Sequence, residues 1–100
     1  MREDRQRLDK WLWFARFAKS RSLAAKLVTS GFVRVNGQRA ESAAKAVAVG
    51  DVVTLALSRT TAVVRIEDLG TRRGPAPEAR LLYSELGRDD GTLVSEDRRG

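Results

Sequence analysis

Residues 7–37 read RLDKWLWFARFAKSRSLAAKLVTSGFVRVNG and decide the fold, because they hold both tryptophans, all three phenylalanines and most of the unbalanced positive charge. The first part predicts an amphipathic helix, since apolar residues recur at the spacing of one buried helical face. The residues of that face are Leu8, Trp11, Leu12, Ala15 and Ala18. Lys10, Arg16 and Lys19 fall off this stripe, so the helix should carry a basic face beside its buried one.

A second helix should begin after Ser20, whose hydroxyl is placed to accept a hydrogen bond from a free backbone N–H as an N-cap. Its buried face is predicted to comprise Leu23, Ala24, Leu27 and Val28. Gly31 should end it, because glycine adopts the left-handed conformation without a Cβ penalty and lets Phe32 fold back onto the helix. We therefore expect two short helices packed at an angle.

A β-hairpin is predicted next. Val33 and Val35 alternate with Arg34 as in a half-buried strand, and Asn36-Gly37 is a strong hairpin-turn signal. Strands are also predicted at 52–57 and 62–67, and the segment DLGTRRGPAP at 68–77 should form a loop before a last helix at 78–86. The expected fold class is α+β, with two N-terminal helices packed on a small, mainly antiparallel sheet and a short C-terminal helix.

The chain length of 100 residues allows a single small domain. We place it at residues 7–86, with a helix–helix–hairpin core at 7–45, sheet completion at 46–67, and the loop and C-terminal helix at 68–86. Residues 1–6 and 87–100 are polar and are expected to be flexible termini. Residues 41–48, between the hairpin and the following strand, lack a clean period and are expected to form an irregular bridge.

The composition argues against several classes of function. Cysteine and histidine are both absent, so thiolate metal sites, disulfides and the commonest general base are excluded. We expect no metal, no cofactor and no catalytic residue. No apolar run reaches membrane-spanning length and the charged start lacks the apolar segment of a signal peptide, which predicts a cytoplasmic protein without membrane contact.

The net charge of +6 is unevenly distributed. Residues 1–45 carry 11 Lys and Arg against 4 Asp and Glu, giving +7, whereas residues 46–100 carry 8 against 9, giving −1. A confined excess of positive charge concentrates a polyanion at one face. A merely solubilising surface is the alternative, but the interleaved aromatic residues favour nucleic-acid binding.

Polar side chains should converge where the two helices meet, beside the free N–H groups of the second helix. These candidate RNA-binding residues are Arg7, Lys10, Arg16, Lys19, Ser20, Arg21 and Lys26, and Asn36 and Arg39 on the hairpin extend the basic surface. Arginine binds phosphate with two parallel hydrogen bonds. Ser20 can cap the second helix or donate a hydrogen bond to a phosphate, and we weigh these two roles equally. Trp13 and Phe17 are either core residues, which we favour, or base-stacking ones.

The stretch at 7–37 resembles the RNA-binding domain named after small-subunit ribosomal protein S-four, since RLDKWL, KSRS and GFVRVNG occur together at that domain's spacing. WLWFARF and RRGPAPEARLLY further resemble the bacterial heat-shock protein fifteen family, over about residues 7–86. The resemblance implies an αL-type RNA-binding motif and adds Lys45 as an outer contact. It also implies ribosomal RNA of the free large ribosomal subunit as partner, with peptidyl-tRNA, in ribosome rescue under stress.

Two other functions fit parts of the sequence. A double-stranded DNA-binding protein of helix-turn-helix type would use the same two helices, but the second helix exposes mainly Arg21, Ala25, Lys26 and Thr29, which is a poor set for reading bases. An RNA-modifying enzyme would need a catalytic domain for which the chain is too short. We therefore expect a non-enzymatic RNA-binding protein, acting as a monomer.

Overall fold

The computed structural model describes the backbone of residues 4–89 and the side chains of residues 4–87. Its elements in chain order are β1 (Gln6–Arg7), α1 (Leu8–Phe14), α2 (Arg21–Thr29), β2 (Val33–Val35), β3 (Gln38–Arg39), β4 (Ala46–Val47), β5 (Val52–Ala56), β6 (Thr61–Ile66), α3 (Ala76–Ala79), a 3-10 turn (Arg80–Leu82) and β7 (Tyr83–Asp89). The five strands β3-β2-β5-β6-β7 form an antiparallel sheet in that order, and β1 pairs with β4. The predicted α+β class is confirmed.

The core lies between the helices and one face of the sheet. In β5 and β6 alternate residues are buried, including Val53, Leu55, Val64 and Ile66, as expected for a sheet covered on one side. The predicted face of the first helix is buried throughout. At its centre Trp11 is fully buried, and its indole Nε1 donates a hydrogen bond to the carbonyl oxygen of Asp68 at 3.0 Å.

The local turn and cap signals are confirmed. The Ser20 Oγ accepts a hydrogen bond from the Leu23 N–H at 3.1 Å and so caps α2. Gly31 has φ +89°, and the N–H of Phe32 donates to the carbonyl of Leu27, which together make a Schellman motif. Asn36-Gly37 has positive φ at both positions, as a type I′ hairpin turn requires.

The first helix is shorter than the apolar pattern predicts, because α1 ends at Phe14 rather than near Lys19. Arg16 adopts a left-handed conformation with φ +67°, and the N–H of Phe17 donates to the carbonyl of Leu12 at 3.0 Å. These bonds form a second Schellman motif, with arginine where glycine is usual. Ala18 is still buried, although it belongs to an irregular connection rather than to a helical face.

The C-terminal helix is present but was predicted too long. Helix α3 and the 3-10 turn end at Leu82, and residues 83–86, expected to be helical, belong to β7. The backbone of β6 needs a hydrogen-bonding partner along its free edge, and β7 supplies it. A bulge between Val63 and Val64 leaves Leu86 47% exposed, so its spacing did not reflect a buried helical face.

The predicted flexible ends, 1–6 and 87–100, lie partly outside the described residues. Within them Gln6 pairs with Val47, and residues 87–89 continue β7. The bridge at 41–48 is irregular except for β4, which holds the start of α1 through that pairing. The prediction that Leu23 is buried was wrong, since it is 48% exposed: α1 and the sheet cover only the Ala24–Val28 side of α2.

Replacing Trp11 with Phe should lower the free energy of unfolding by about 2 kcal/mol, because it leaves a cavity and removes the hydrogen bond to the Asp68 carbonyl. Trp13→Phe is the matched control, since Trp13 is only partly buried, and it should cost less than about 1 kcal/mol. Urea unfolding followed by the fluorescence of the remaining tryptophan measures both. Equal losses would contradict the central position of Trp11.

Candidate nucleic-acid interface

A buried carboxylate joins the starts of the two N-terminal helices. Asp9, in the first turn of α1, has a side chain only 5% exposed. Its Oδ1 and Oδ2 accept hydrogen bonds from Nε and Nη2 of Arg7 at 3.1 and 3.2 Å. Nε of Arg21, the first residue of α2, lies 3.7 Å from Oδ2. We call Arg7, Asp9 and Arg21 the Asp9 cluster.

The Asp9 cluster carries a net positive charge, with two guanidinium groups against one carboxylate. Asp9 raises the pKa of Arg7 above its ordinary value, mainly through the side-chain hydrogen bond and then through Coulombic attraction, while desolvation opposes the shift. The side chains of Arg7 and Arg21 remain 51% and 43% exposed. Because each guanidinium has five N–H donors, both keep donors for an anion in solvent.

Lys45 and Lys10 flank the Asp9 cluster. The carbonyl of Lys45 accepts a hydrogen bond from the N–H of Leu8 at 2.9 Å, and the β1–β4 pairing sets Arg7 opposite Ala46. Lys10 lies one helical turn after Arg7, with its ammonium 5.6 Å from the centre of the Phe14 ring. The pairing therefore brings Lys45, which is distant in sequence, beside the start of α1.

The candidate residues predicted at the helix junction lie on two different sides of α2. Arg21 belongs to the Asp9 cluster, whereas Lys19 and Lys26 line a groove of about 520 Å³ on the other side. We call it the lysine–phenylalanine groove; its lining residues are Phe17, Ala18, Lys19, Leu23, Lys26, Leu27, Ser30 and Phe32. Ser20 sits between the two as the helix cap, with its hydroxyl proton still available to a ligand.

Arg16 is not part of the Asp9 cluster and bonds to another part of the fold. Its Nε donates to the carbonyl of Gly74 at 2.7 Å, which ties the α1–α2 connection to the loop before α3. Arg16 and Arg80 line one small cleft beside Tyr83. The expectation that Arg16 ends a helix next to Arg21 is therefore not met.

The two hairpin candidates differ in position. Asn36 is engaged in the fold, since its Oδ1 accepts from the Val52 N–H at 2.9 Å and its Nδ2 donates to Asp51 at 3.2 Å. The Arg39 guanidinium lies against Gly31, at the end of α2 opposite Arg21. Arg39 is therefore next to the groove residues Ser30 and Phe32. The structure leaves Asn36 and Arg16 apart and divides the other candidates between two sides of α2: Arg7, Lys10, Arg21 and Lys45 on one, and Lys19, Lys26 and Arg39 on the other, with Ser20 between them.

Sequence reasoning missed the role of Asp9. By position alone Asp9 is a first-turn acid that favours the helix dipole, whereas the structure shows it holding two arginines. The available signal was an acid two residues after Arg7 in an otherwise basic segment. The exposure of Leu23, which lines the groove, was not predicted either, because Leu23 fits the apolar period of α2.

These residues lie in a recognised kind of domain. Residues 6–53, from β1 to the start of β5, match the S4 domain, the S-four domain that the sequence resembles. The chain is 46% identical over 85 residues to the heat shock protein 15 homolog of Haemophilus influenzae, and 43% identical over 79 residues to heat shock protein 15 of Escherichia coli. These matches cover 85% and 79% of the chain, and 64% and 59% of the two relatives.

A solved structure supports the same assignment. The trimeric structure of Vibrio cholerae heat shock protein 15 superposes with a TM-score of 0.77 at 46% identity, covering 82% of each chain. The chain belongs to the heat shock protein 15 family. It spans about three fifths of the length of the curated relatives it matches.

None of the helices within residues 4–89 has the length and apolar content that a membrane crossing requires. The same part of the chain holds no group of three or more His, Cys, Asp or Glu side chains placed to bind a metal ion.

Asp9→Asn should lower the free energy of unfolding by about 1–3 kcal/mol, because it removes the charge that pairs with two arginines at a buried point. Glu78→Gln breaks the exposed pair with Arg72 and is the matched control, with an expected loss of at most about 1 kcal/mol. Urea unfolding at constant salt compares the two variants. A loss for Asp9→Asn no larger than the control would show that the cluster does not hold the helices together.

Proposed function

We propose that this protein binds structured ribosomal RNA through the surface formed by α1 and α2. The observation that carries the proposal is the Asp9 cluster, in which Arg7, the residue before α1, and Arg21, the first residue of α2, keep exposed donors beside Lys45. The S4 domain match over the same residues supports it. The charge excess of residues 1–45 supplies the long-range attraction for an RNA backbone.

The chemistry of this surface suits phosphate groups. Arginine side chains held by a carboxylate present their remaining N–H groups in a fixed plane, and a guanidinium binds two phosphate oxygens at once. The N-terminus of α2 adds a partial positive charge next to Arg21. Such contacts fix the position of the protein on a folded RNA and do not read its sequence. RNA shape should therefore decide where the protein binds.

The finer proposal concerns the partner and the setting. We propose that the RNA belongs to the free large ribosomal subunit, with peptidyl-tRNA as a further partner, and that binding serves ribosome rescue or recycling during stress in the cytoplasm. The relatives are named heat shock proteins, which supports the link to stress. The proposed role is binding without catalysis. Action as a monomer stays a prediction, and the Vibrio cholerae relative is described as a trimer.

Lys26→Gln should weaken binding to large-subunit ribosomal RNA and reduce the slope of log affinity against log salt by about 0.7–0.9, the value of one neutralised phosphate. Arg65→Gln is the control. This substitution removes the same charge as Lys26→Gln, but Arg65 lies on the outer face of the sheet, away from the helices. The slopes are measured by fluorescence anisotropy at salt concentrations between about 50 and 200 mM. Identical slopes for the two variants would contradict the assigned surface.

Competition separates this function from double-stranded DNA binding. Folded ribosomal RNA should displace a labelled RNA probe far better than a DNA duplex of equal charge, because α2 presents few base-reading side chains for a major groove. The measurement is displacement of the probe at fixed salt. Preference for the DNA duplex would reverse the assignment in favour of the helix-turn-helix alternative.

A further inference from the structure

The apolar side chains of the lysine–phenylalanine groove have no role in the phosphate contacts described so far. Phe32 and Leu23 are 50% and 48% exposed, although both are large apolar side chains. Two large apolar side chains that are half exposed side by side, with polar groups around them, are a candidate interaction site. The groove volume of about 520 Å³ falls within the range of about 300–1,000 Å³ for small-molecule sites.

Two helix ends build the groove. Phe17 follows the left-handed residue that ends α1, and Phe32 follows the left-handed residue that ends α2. A Schellman motif fixes the backbone at each phenylalanine, and the Phe17 ring also packs against Tyr83, whose ring centre lies 4.9 Å away. The backbone positions of the two phenylalanines are therefore set before any ligand binds, which lowers the entropic cost of binding.

We propose that the lysine–phenylalanine groove receives an unpaired nucleobase of the bound RNA. This inference rests on the proposed function and adds a base contact to its phosphate contacts. Lys19 and Lys26 line the groove beside the two phenylalanines, so an apolar, aromatic pocket stands next to two ammonium groups. A nucleotide has the matching chemistry, with a flat base that stacks on aromatic rings and phosphates that attract the ammonium groups.

The same two lysines make two other occupants less favourable, namely a second copy related by a two-fold axis and an apolar protein segment. A second copy of the chain docked by a two-fold axis would bring its own Lys19 and Lys26 against those of the first, since such an interface uses the same patch twice. An apolar protein segment would leave both ammonium groups partly desolvated without a partner. An RNA strand avoids both the charge repulsion and the unpaired ammonium groups, because its backbone is anionic.

The groove also adjoins the proposed phosphate surface. Arg21 and Lys26 lie on opposite sides of α2 and are separated by five residues, or about 7.5 Å along the helix axis. A single strand crossing the exposed face of α2 would contact the Asp9 cluster on one side and place a base in the groove on the other. Unpaired nucleotides are the parts of folded RNA that can be displaced in this way.

Two RNA probes of equal charge test the proposal: a uridine decamer and a decamer of ribose phosphates that lack bases. The wild-type chain should bind the uridine decamer about tenfold more tightly, which is the usual effect of stacking one base. Phe32→Ala and Leu23→Ala should remove most of this preference while leaving affinity for the base-free decamer unchanged. Leu81→Ala is the matched control, because Leu81 is an exposed leucine outside the groove.

Leu23→Ala should leave the domain folded, since alanine is a strong helix former at an exposed position of α2. A loss of the uridine preference in this variant is therefore not an effect of unfolding. Equal affinity of the wild-type chain for both decamers would overturn the base site while leaving phosphate binding, and hence the proposed function, intact. A uridine preference that survives both groove variants would also overturn it. So would self-association that Leu23→Ala abolishes, because the groove would then hold a second copy. Failure to bind either decamer or ribosomal RNA would instead overturn the proposed function.

Discussion

The Asp9 carboxylate, at one nearly buried point, holds Arg7, the residue before α1, and Arg21, the first residue of α2, and the candidate interface depends on that contact. A carboxylate shielded from water is stable there only with charged partners and hydrogen bonds, which Arg7 and Arg21 provide. The contact fixes the start of α2 against the start of α1. The negative charge of the carboxylate also offsets the repulsion between the two positively charged guanidinium groups that it holds near each other.

The chain ends both N-terminal helices in the same way, and this repetition shapes the second part of the surface. Gly31 takes the left-handed conformation at no cost, whereas Arg16 takes it at a cost of about 1–2 kcal/mol. The hydrogen bond from Arg16 to Gly74 offsets part of that cost and anchors the loop before α3. The left-handed turns direct Phe17 and Phe32 to the two sides of one groove.

Local chemistry made much of the fold predictable. Ser20, Gly31 and Asn36-Gly37 act through their own backbone and near neighbours, so their cap and turns follow from residue type and position. The pairing of 83–89 with β6 was not predictable from spacing, because it depends on a strand edge formed elsewhere in the chain. The same holds for Leu23, whose exposure depends on what covers α2, and for Arg16, whose partner lies 58 residues away. In the site, the charged residues were predictable and their grouping around Asp9 was not.

The central claim is that the face of α1 and α2, rather than the sheet, contacts RNA. The most direct measurement is a titration of the ¹⁵N-labelled chain with fragments of large-subunit ribosomal RNA, followed by amide chemical shifts. The account predicts shifts centred on Arg7, on residues 19–26 and on Lys45. Shifts centred instead on Thr54, Val63 and Arg65, on the outer face of the sheet, would contradict it.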